Sequence, residues 1–438
     1  MTEASPVGLR LRYLRGALWS LAGALASQGG SLAASVIAAR LVGLEQFGQL
    51  GIIQSTITTL GAVAGLGLGV TATKHVAEFR HKDKARTGRI LGLSSILAVI
   101  TGALLAAMLF AGASLLAAAL SAPEIGSQIR VASLMLVANA ALGAQIGGLA
   151  GFESFNVIAR LNTIRGALAV PLTTVLAWNW GLSGAVWALA VTALMTSLIA
   201  EFALRRVCFA EGIRQTIRGA WPERTILMAF TAPAFMSSSL VPGATWVAQA
   251  LLVNQTAGYG QMGILNVATQ VRTVITFVPT LLSQLSLPIL ANMRGNGEPR
   301  EYRKAMLWNL LISGGLAASA ACPVILFPAH VLRLFGGEIR GETLVIITAA
   351  LIAILTSVNG VVGTAILSSG AVWTGFAFNL AWAVLFLAAS ILLVQEYMAL
   401  GIVLAMLFAY LCHSIWQSVY ALKNLSQPDA ALRPVEGT

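Results

Sequence analysis

Charged side chains are scarce in this sequence. Only 10% of its 438 residues are Asp, Glu, Lys or Arg, whereas about a quarter of a typical soluble domain is charged. Hydrophobic residues make up 57% of the chain, so a water-facing surface would have to be largely apolar. The composition therefore excludes an ordinary soluble domain and favours a protein embedded in lipid.

Carboxylates are almost absent from the apolar stretches. Both aspartates, Asp83 and Asp429, lie outside them, and Glu201 is the only glutamate inside one, close to its end. A cation-coupled exporter needs carboxylates within the membrane to bind ions or cationic substrates. The sequence therefore disfavours such an exporter and favours an anionic substrate.

Residue types that carry catalytic or metal chemistry are equally sparse. Cys208, Cys322 and Cys412 show no metal-ligand spacing, and the four histidines are scattered. The sequence contains no nucleotide-binding P-loop. We therefore predict no catalytic residue, no metal and no cofactor. Nucleic acid is not an expected partner, because the basic residues sort by membrane side and do not cluster on one groove.

Long apolar runs fill most of the chain. A helix that crosses the membrane needs about 20 mostly apolar residues. Twelve stretches meet this requirement, and their predicted bounds are 17–39, 48–71, 90–117, 131–151, 163–180, 183–204, 226–251, 260–289, 305–327, 343–367, 373–394 and 399–420. The sequence predicts an all-α integral membrane protein with twelve transmembrane helices.

The basic residues between these spans predict the orientation. Of the 27 Lys and Arg residues, 22 fall on one side of the predicted membrane and four on the other. Those four are Arg40, Arg130, Arg333 and Arg340, and Arg272 remains within a span. Basic loops stay in the cytoplasm, so both termini are predicted to be cytoplasmic.

A short phrase occurs twice and divides the chain into halves. Residues 47–52 (FGQLGI) return as 259–264 (YGQMGI) 212 positions later, and 182–186 resemble 399–403 with a spacing of 217. Each half holds six spans, so both halves enter the membrane in the same orientation, as parallel repeats. The predicted domains are an N-terminal six-helix lobe (1–204), a cytoplasmic linker (205–224), a C-terminal six-helix lobe (225–420) and a cytoplasmic tail (421–438).

The linker has two interpretations. Phe209, Ile213, Ile217 and Trp221 recur at every fourth residue, which suits a helix lying at the membrane surface. A solvated linker with incidental apolar residues is the alternative.

The start of the chain resembles a known family. Ala39, Arg40, Gly43, Phe47 and Gly48 precede a Gly- and Thr-rich second span and then a basic stretch. This order is similar to that of bacterial polysaccharide-biosynthesis flippases of the Wzx type, which share a superfamily with MATE multidrug exporters and the lipid II flippase.

The resemblance implies a function. Such flippases move undecaprenyl-diphosphate-linked oligosaccharides from the cytoplasmic to the periplasmic leaflet, by alternating access of two six-helix lobes around a central cavity. It implies a bacterial inner-membrane protein that serves surface or exopolysaccharide assembly. Its partners would be the lipid-linked oligosaccharide, membrane lipids and, as an open alternative, a polysaccharide polymerase or other assembly proteins.

Arg272 lies near the middle of the eighth predicted span. Helical steps of 100° place Thr269, Thr276 and Gln261 within about 60° of it, which makes a polar stripe. A planar, permanently charged guanidinium suits phosphate, so we predict that Arg272 contacts the carrier's diphosphate in a cavity between the halves. The alternative is a structural arginine bonded to carbonyls or a neighbouring amide. Further amides predicted to bind substrate are Gln28, Gln54 and Asn266.

Glycine and proline suggest moving elements. Span seven contains Pro233 and the pair Pro242–Gly243, which falls opposite Gly30, beside Gly29, in span one at the 212 spacing. Interrupted helices at corresponding positions of two halves are typical of the moving parts of transporters. We predict a gating bend here, with a static kink for packing as the alternative.

Two other functions are alternatives to a flippase. A MATE-like exporter of small molecules would need coupling carboxylates in its membrane spans. A membrane glycosyltransferase or polysaccharide ligase would need a catalytic acid or histidine on an extracytoplasmic loop. The predicted loops of that kind are short, and hold Glu124, His330, Glu338 and Glu342.

Overall fold

The computed structural model describes residues 6–65, 67–220, 223–295, 299–336, 342–369 and 371–425. All regular structure among them is helical, as the apolar runs predict. The helices are α1 (Pro6–Val42), α2 (Leu44–Gly65), α3 (Leu68–Phe79), α4 (Lys84–Ala119), α5 (Gly126–Gly151), α6 (Phe155–Ala210), α7 (Arg224–Val253), α8 (Gly258–Gly295), α9 (Pro299–Leu326), α10 (Pro328–Leu334), α11 (Thr343–Ser368) and α12 (Val372–Tyr420). A short 3₁₀ turn, Pro123–Ile125, precedes α5, and a π turn, Ala421–Leu425, follows α12.

The chain divides into two compact units, Met1–Trp246 and Val247–Thr438. In the first unit, α6 packs on α1 and α5, and α5 packs on α4. In the second unit, α11 contacts α8, α9 and α12. Small residues and Leu, Ile and Val fill both cores, which suits helices that approach closely in lipid.

Two of the longest helices each correspond to two predicted spans. Gly181 (φ 55°, ψ −132°) interrupts α6 and Met398 (φ 52°, ψ −126°) interrupts α12. The two bends lie 217 positions apart, which is the spacing of the second sequence repeat. Within the described residues, nine helices are long and apolar enough to cross a membrane. The count of twelve stays a prediction.

Span two is not the continuous helix that its apolar run predicts. The helix ends at Gly65 and restarts at Leu68, and Gly67 adopts a left-handed conformation (φ 65°). This conformation favours glycine, because a Cβ atom would clash with the backbone. A break therefore occurs in the second span, where the continuous apolar run predicts none.

Residues 211–220 of the linker form no interfacial helix. Helix α6 ends at Ala210, and 211–220 runs as a non-helical segment that packs on α4. Gly212 (φ 68°) and Gly219 (φ 71°) disfavour a helix here. Ile213 is 3% exposed and joins the core of the first unit. Of the apolar residues at this fourfold spacing, Ile213 docks on protein, whereas Phe209 and Ile217 are exposed. Of the two interpretations of the linker, the surface helix is therefore wrong for 211–220.

Candidate functional site

Arg272 is the only charged residue in 258–283, the described apolar part of α8. Its guanidinium is partly buried and Nη1 lies against Sδ of Met406 on α12. Tyr410, one turn further along α12, is within electrostatic reach. None of the ion pairs formed among the described residues includes Arg272. Its charge is therefore not neutralised by a carboxylate of the described chain.

Threonines line the same side of α8. The hydroxyls of Thr269, Thr273, Thr276 and Thr280 each donate to the carbonyl four residues earlier, at 2.8–2.9 Å. Their protons are thus engaged, while the oxygen lone pairs stay free to accept hydrogen bonds. Thr273 and Thr280 are exposed. Sequence reasoning missed these two, although the three- and four-residue spacing of all four threonines marks one helix face. We call Arg272 and these threonines the polar face of α8.

The other predicted substrate amides do not share this environment. Asn266 is buried within the second unit, 7% exposed. Gln28 and Gln54 are half-buried side chains of α1 and α2 in the first unit. The structure thus groups Arg272, Thr269 and Thr276, and their role in substrate binding stays a prediction.

Gln261 is engaged at the start of α8. Its Nε2 donates to Oε1 of Glu342 at 2.8 Å, and its Oε1 accepts from the backbone N–H of Ala399 at 3.4 Å. Ala399 directly follows the bend of α12 at Met398. Gln261 therefore connects α8, α11 and the bend of α12, which is a structural contact.

The repeated phrase makes the same contact in the first unit. Gln49 stands 212 positions before Gln261, and its Nε2 donates to Oε1 of Glu124 at 3.0 Å. Glu124 lies just before α5, the helix that corresponds to α11 in the repeat. Each unit thus ties the start of its second span to the start of its fourth through a Gln–Glu bond. This bond gives the phrase a structural reason.

The carboxyl of Glu342 has an altered pKa. Burial raises it above the ordinary value of 4.5, and the hydrogen bond from Gln261 offsets part of this rise. Because the folded pKa exceeds the unfolded one, the folded chain binds more protons, and stability falls as pH rises through the window between the two values. We expect Glu342→Gln to remove this component, since glutamine keeps an acceptor for Gln261 but does not titrate.

Thermal unfolding of both proteins in detergent between about pH 4 and pH 8 tests this. Above pH 4.5, the unfolding temperature of the variant should rise relative to that of the parent, and the difference should level off at higher pH. A difference that does not depend on pH would contradict the assignment.

The residues predicted to gate show no helix interruption. Helix α1 runs unbroken through Gly29 and Gly30, and α7 is helical through Pro242 and Gly243. A Cβ atom at Gly30 would overlap the backbone of Gly166 on α6, whereas one at Gly29 would meet nothing within 4 Å. Gly30 thus serves close helix packing. The side chain of Pro233 lies outside the described residues.

The end of α7 is tied to α2. Thr59 Oγ1 donates to the carbonyl of Pro242 at 3.2 Å, and Trp246 Nε1 donates to Oγ1 of Thr56 at 2.8 Å. Both bonds lie within the first unit. They join α7 to α2 at two points that lie about one helical turn apart on each helix. Proline here is accommodated inside a packed helix pair.

Comparison with known proteins gives consistent matches. The family model of polysaccharide biosynthesis proteins matches residues 13–294. The EPS I polysaccharide export inner membrane protein EpsE of Ralstonia solanacearum is 26% identical over 431 residues, covering 95% of each chain. Its counterpart in Ralstonia nicotianae is 24% identical over 441 residues, covering 99% of this chain and 98% of the relative.

Solved transporters of the MOP superfamily share the fold. An inward-facing multidrug-resistance MATE transporter has a TM-score of 0.77 with 14% identity, covering 94% of this chain and 98% of its own. A MOP-superfamily transporter from Pyrococcus furiosus has a TM-score of 0.71 with 16% identity, covering 95% of both chains. At such identities the likeness establishes the fold alone. The predicted MATE-like fold class is confirmed.

Proposed function

This chain belongs to the polysaccharide biosynthesis protein family, and we propose that it moves a polyprenyl-diphosphate-linked oligosaccharide across the bacterial inner membrane. The direction would be from the cytoplasmic to the periplasmic leaflet, by alternating access, for surface or exopolysaccharide assembly. The polysaccharide-export relatives support the coarser role of a membrane transporter in polysaccharide synthesis.

One observation carries the substrate assignment. Arg272 places a permanent positive charge on a membrane helix, and no carboxylate of the described chain pairs with it. A charge at such depth is costly unless an anion or water compensates it. A diphosphate would supply the anion, and a guanidinium forms strong paired hydrogen bonds with phosphate oxygens.

The polar face of α8 also suits a sugar-bearing head. Hydroxyl groups of an oligosaccharide can donate to the threonine oxygens, which have no proton left to give. The head would thus meet a cation and several acceptors on one helix, while the polyprenyl tail remains in lipid.

The one glutamate inside a predicted span is engaged structurally. Glu201 pairs with Arg205 at 2.6 Å and accepts from Gln145 Nε2 at 3.1 Å. A carboxylate held in this way is a poor site for coupling ions or cationic drugs. Glu124 and Glu342, two candidates for a catalytic acid in a glycosyltransferase, are likewise bonded to Gln49 and Gln261. Both alternatives are therefore weaker than a flippase.

A reconstitution assay tests the proposal. Liposomes containing the protein and a labelled polyprenyl-diphosphate oligosaccharide are mixed with a membrane-impermeant reagent that modifies the sugar. The reagent should reach sugars of the inner leaflet faster in liposomes that contain the protein than in liposomes without it. No acceleration would overturn the flippase assignment. Equal acceleration of a cationic dye without a lipid tail would favour the exporter.

A further inference from the structure

A hollow rich in basic residues lies where the segment 211–220 docks on the first turns of α4. Its volume is about 410 Å³, and its lining residues are Lys84, Ala85, Arg89, Gly212, Arg214, Thr216 and Arg218. We call it the basic hollow. All of these residues belong to the first compact unit, so the hollow is formed by that unit alone.

Two of the four cations in the lining are fixed by the protein. Lys84 Nζ donates to the backbone carbonyl of Glu211 at 2.7 Å, and Arg89 lies 3.5 Å from the carboxylate of Glu223. Glu223 is buried and also pairs with Arg86 at 3.1 Å. These bonds join α4 to the docked segment and hold the walls in place.

The other two cations have no such partner. Arg214 and Arg218 are exposed, and neither takes part in an ion pair among the described residues. The backbone that carries them is nevertheless fixed. Thr216 N–H donates to the carbonyl of Gly88 and Arg218 N–H donates to Oγ1 of Thr216, both at 3.2 Å. Two guanidinium groups are thus presented from an anchored backbone.

The local charge balance favours an anion. The segments 83–89 and 211–223 hold five basic side chains and three carboxylates. Asp83 caps α4 by accepting from the N–H of Arg86 at 2.8 Å, and Glu223 is bonded within the walls. The third carboxylate, Glu211, is exposed, and the two segments together keep a surplus of two positive charges.

Apolar side chains beside the hollow indicate that it borders lipid. Phe209 is 87% exposed and Ile217 is 55% exposed, and both flank the arginines along the chain. Large apolar groups next to basic ones are typical of the membrane interface, where the former meet acyl chains and the latter meet headgroups. A free water-soluble anion would make no contact with these apolar side chains, whereas the acyl chains of a lipid would.

The second unit has a comparable hollow at the corresponding helix. It measures about 430 Å³ at the start of α9 and is lined by Arg300, Arg303, Lys304, Leu307, Trp308 and Leu311. Basic residues with tryptophan on one helix face suit the membrane–water interface. Both units therefore place cations beside exposed apolar surface at the start of their third span.

We infer that the basic hollow binds the phosphate group of a membrane lipid, with Arg214 and Arg218 as the contacting cations. This inference rests on the proposed function only for the identity of the lipid. With a flippase, the occupant would be the diphosphate of the carrier before it enters the transport path. An ordinary anionic phospholipid offers the same chemistry.

Binding to the purified full-length protein in a neutral detergent tests the inference. The background is Arg272→Gln, so that the polar face of α8 does not contribute. The probes are a short polyprenyl diphosphate, phosphatidylglycerol and inorganic diphosphate. Arg214→Gln with Arg218→Gln should weaken lipid binding by about 10-fold or more, since two charge-assisted contacts are lost. Lysine at both positions should retain most of the binding.

Arg160→Gln with Arg206→Gln is the matched control, because both side chains are exposed and lie outside the hollow. If both double variants weaken lipid binding equally, or if neither weakens it, the basic hollow is not the binding site. Binding of inorganic diphosphate alone would overturn the lipid assignment. If the protein binds the polyprenyl diphosphate more tightly than phosphatidylglycerol, the occupant of the basic hollow is the carrier lipid. If it binds both lipids equally, the hollow is a general site for lipid phosphate groups. Since no transport is measured, failure here leaves the flippase assay unaffected.

Discussion

Arg272→Gln is expected to lower the rate of head-group translocation by about 10- to 100-fold. A hydrogen bond to a charged group contributes about 1.5–3 kcal/mol, and about 1.4 kcal/mol corresponds to a factor of ten. The guanidinium is the only charge in the described apolar part of α8, so no neighbouring residue of that helix replaces it. The initial rate in the proteoliposome assay measures the effect.

The controls separate charge from packing. Arg272→Lys keeps the charge but loses the planar donor fork, so we expect a rate between those of the parent and the glutamine variant. Arg160→Gln removes an exposed cation elsewhere and should leave the rate nearly unchanged. A full rate in Arg272→Gln, in a protein that still folds, would show that Arg272 only packs against Met406 and α12.

Gly30→Ala and Gly29→Ala are expected to have opposite effects on stability. A Cβ atom at Gly30 would overlap the backbone of Gly166. Because the overlapping atoms are backbone, the overlap can be relieved only if α6 moves away from α1. Overpacking of this kind typically costs about 1–3 kcal/mol. Gly29 is exposed with open space around its Cβ position, and alanine there should stabilise the helix by up to about 1 kcal/mol.

Unfolding of both variants in detergent measures this difference, and the flippase assay then addresses gating. Gly166→Ala provides the reciprocal test, because its Cβ atom would crowd Ala26 and Ser27 of α1. We expect it to destabilise as Gly30→Ala does. If Gly29→Ala instead slowed transport while stability was kept, the predicted gating role of the glycine pair would gain support over packing.

Local sequence features predicted much of the fold. Each apolar run is long enough to cross the membrane as a helix. In lipid, backbone N–H and C=O groups must bond to each other, and a helix satisfies them within one segment. The spacing of 217, which the sequence analysis used to support the repeat, also separates the two bends that the structure shows at Gly181 and Met398. A phrase of ten residues indicated the family to which the family-model match then assigned the chain. These inferences needed no knowledge of which helices are neighbours.

Contacts between distant residues could not be predicted in this way. Gln261 was expected on a substrate-binding stripe because helical geometry places it near Arg272. Glu342 and Ala399, which engage it, are 81 and 138 positions away. The two interpretations of the linker stayed open for the same reason, since the apolar residues of 211–220 fit lipid and protein equally well. Only the position of α4 shows that Ile213 is buried in protein.

The sequence by itself determined that this protein lies in a membrane, that it is helical, that it repeats, and that its charge favours an anionic partner. Composition and periodicity are properties of each segment and do not depend on the rest of the fold. The tertiary structure decided which glycine packs and which faces open space, which glutamine forms a structural bond, and which arginines have no carboxylate partner among the described residues. Those outcomes depend on atoms brought together from separate helices, and side chains of one type have different roles according to what lies within a few ångströms of them.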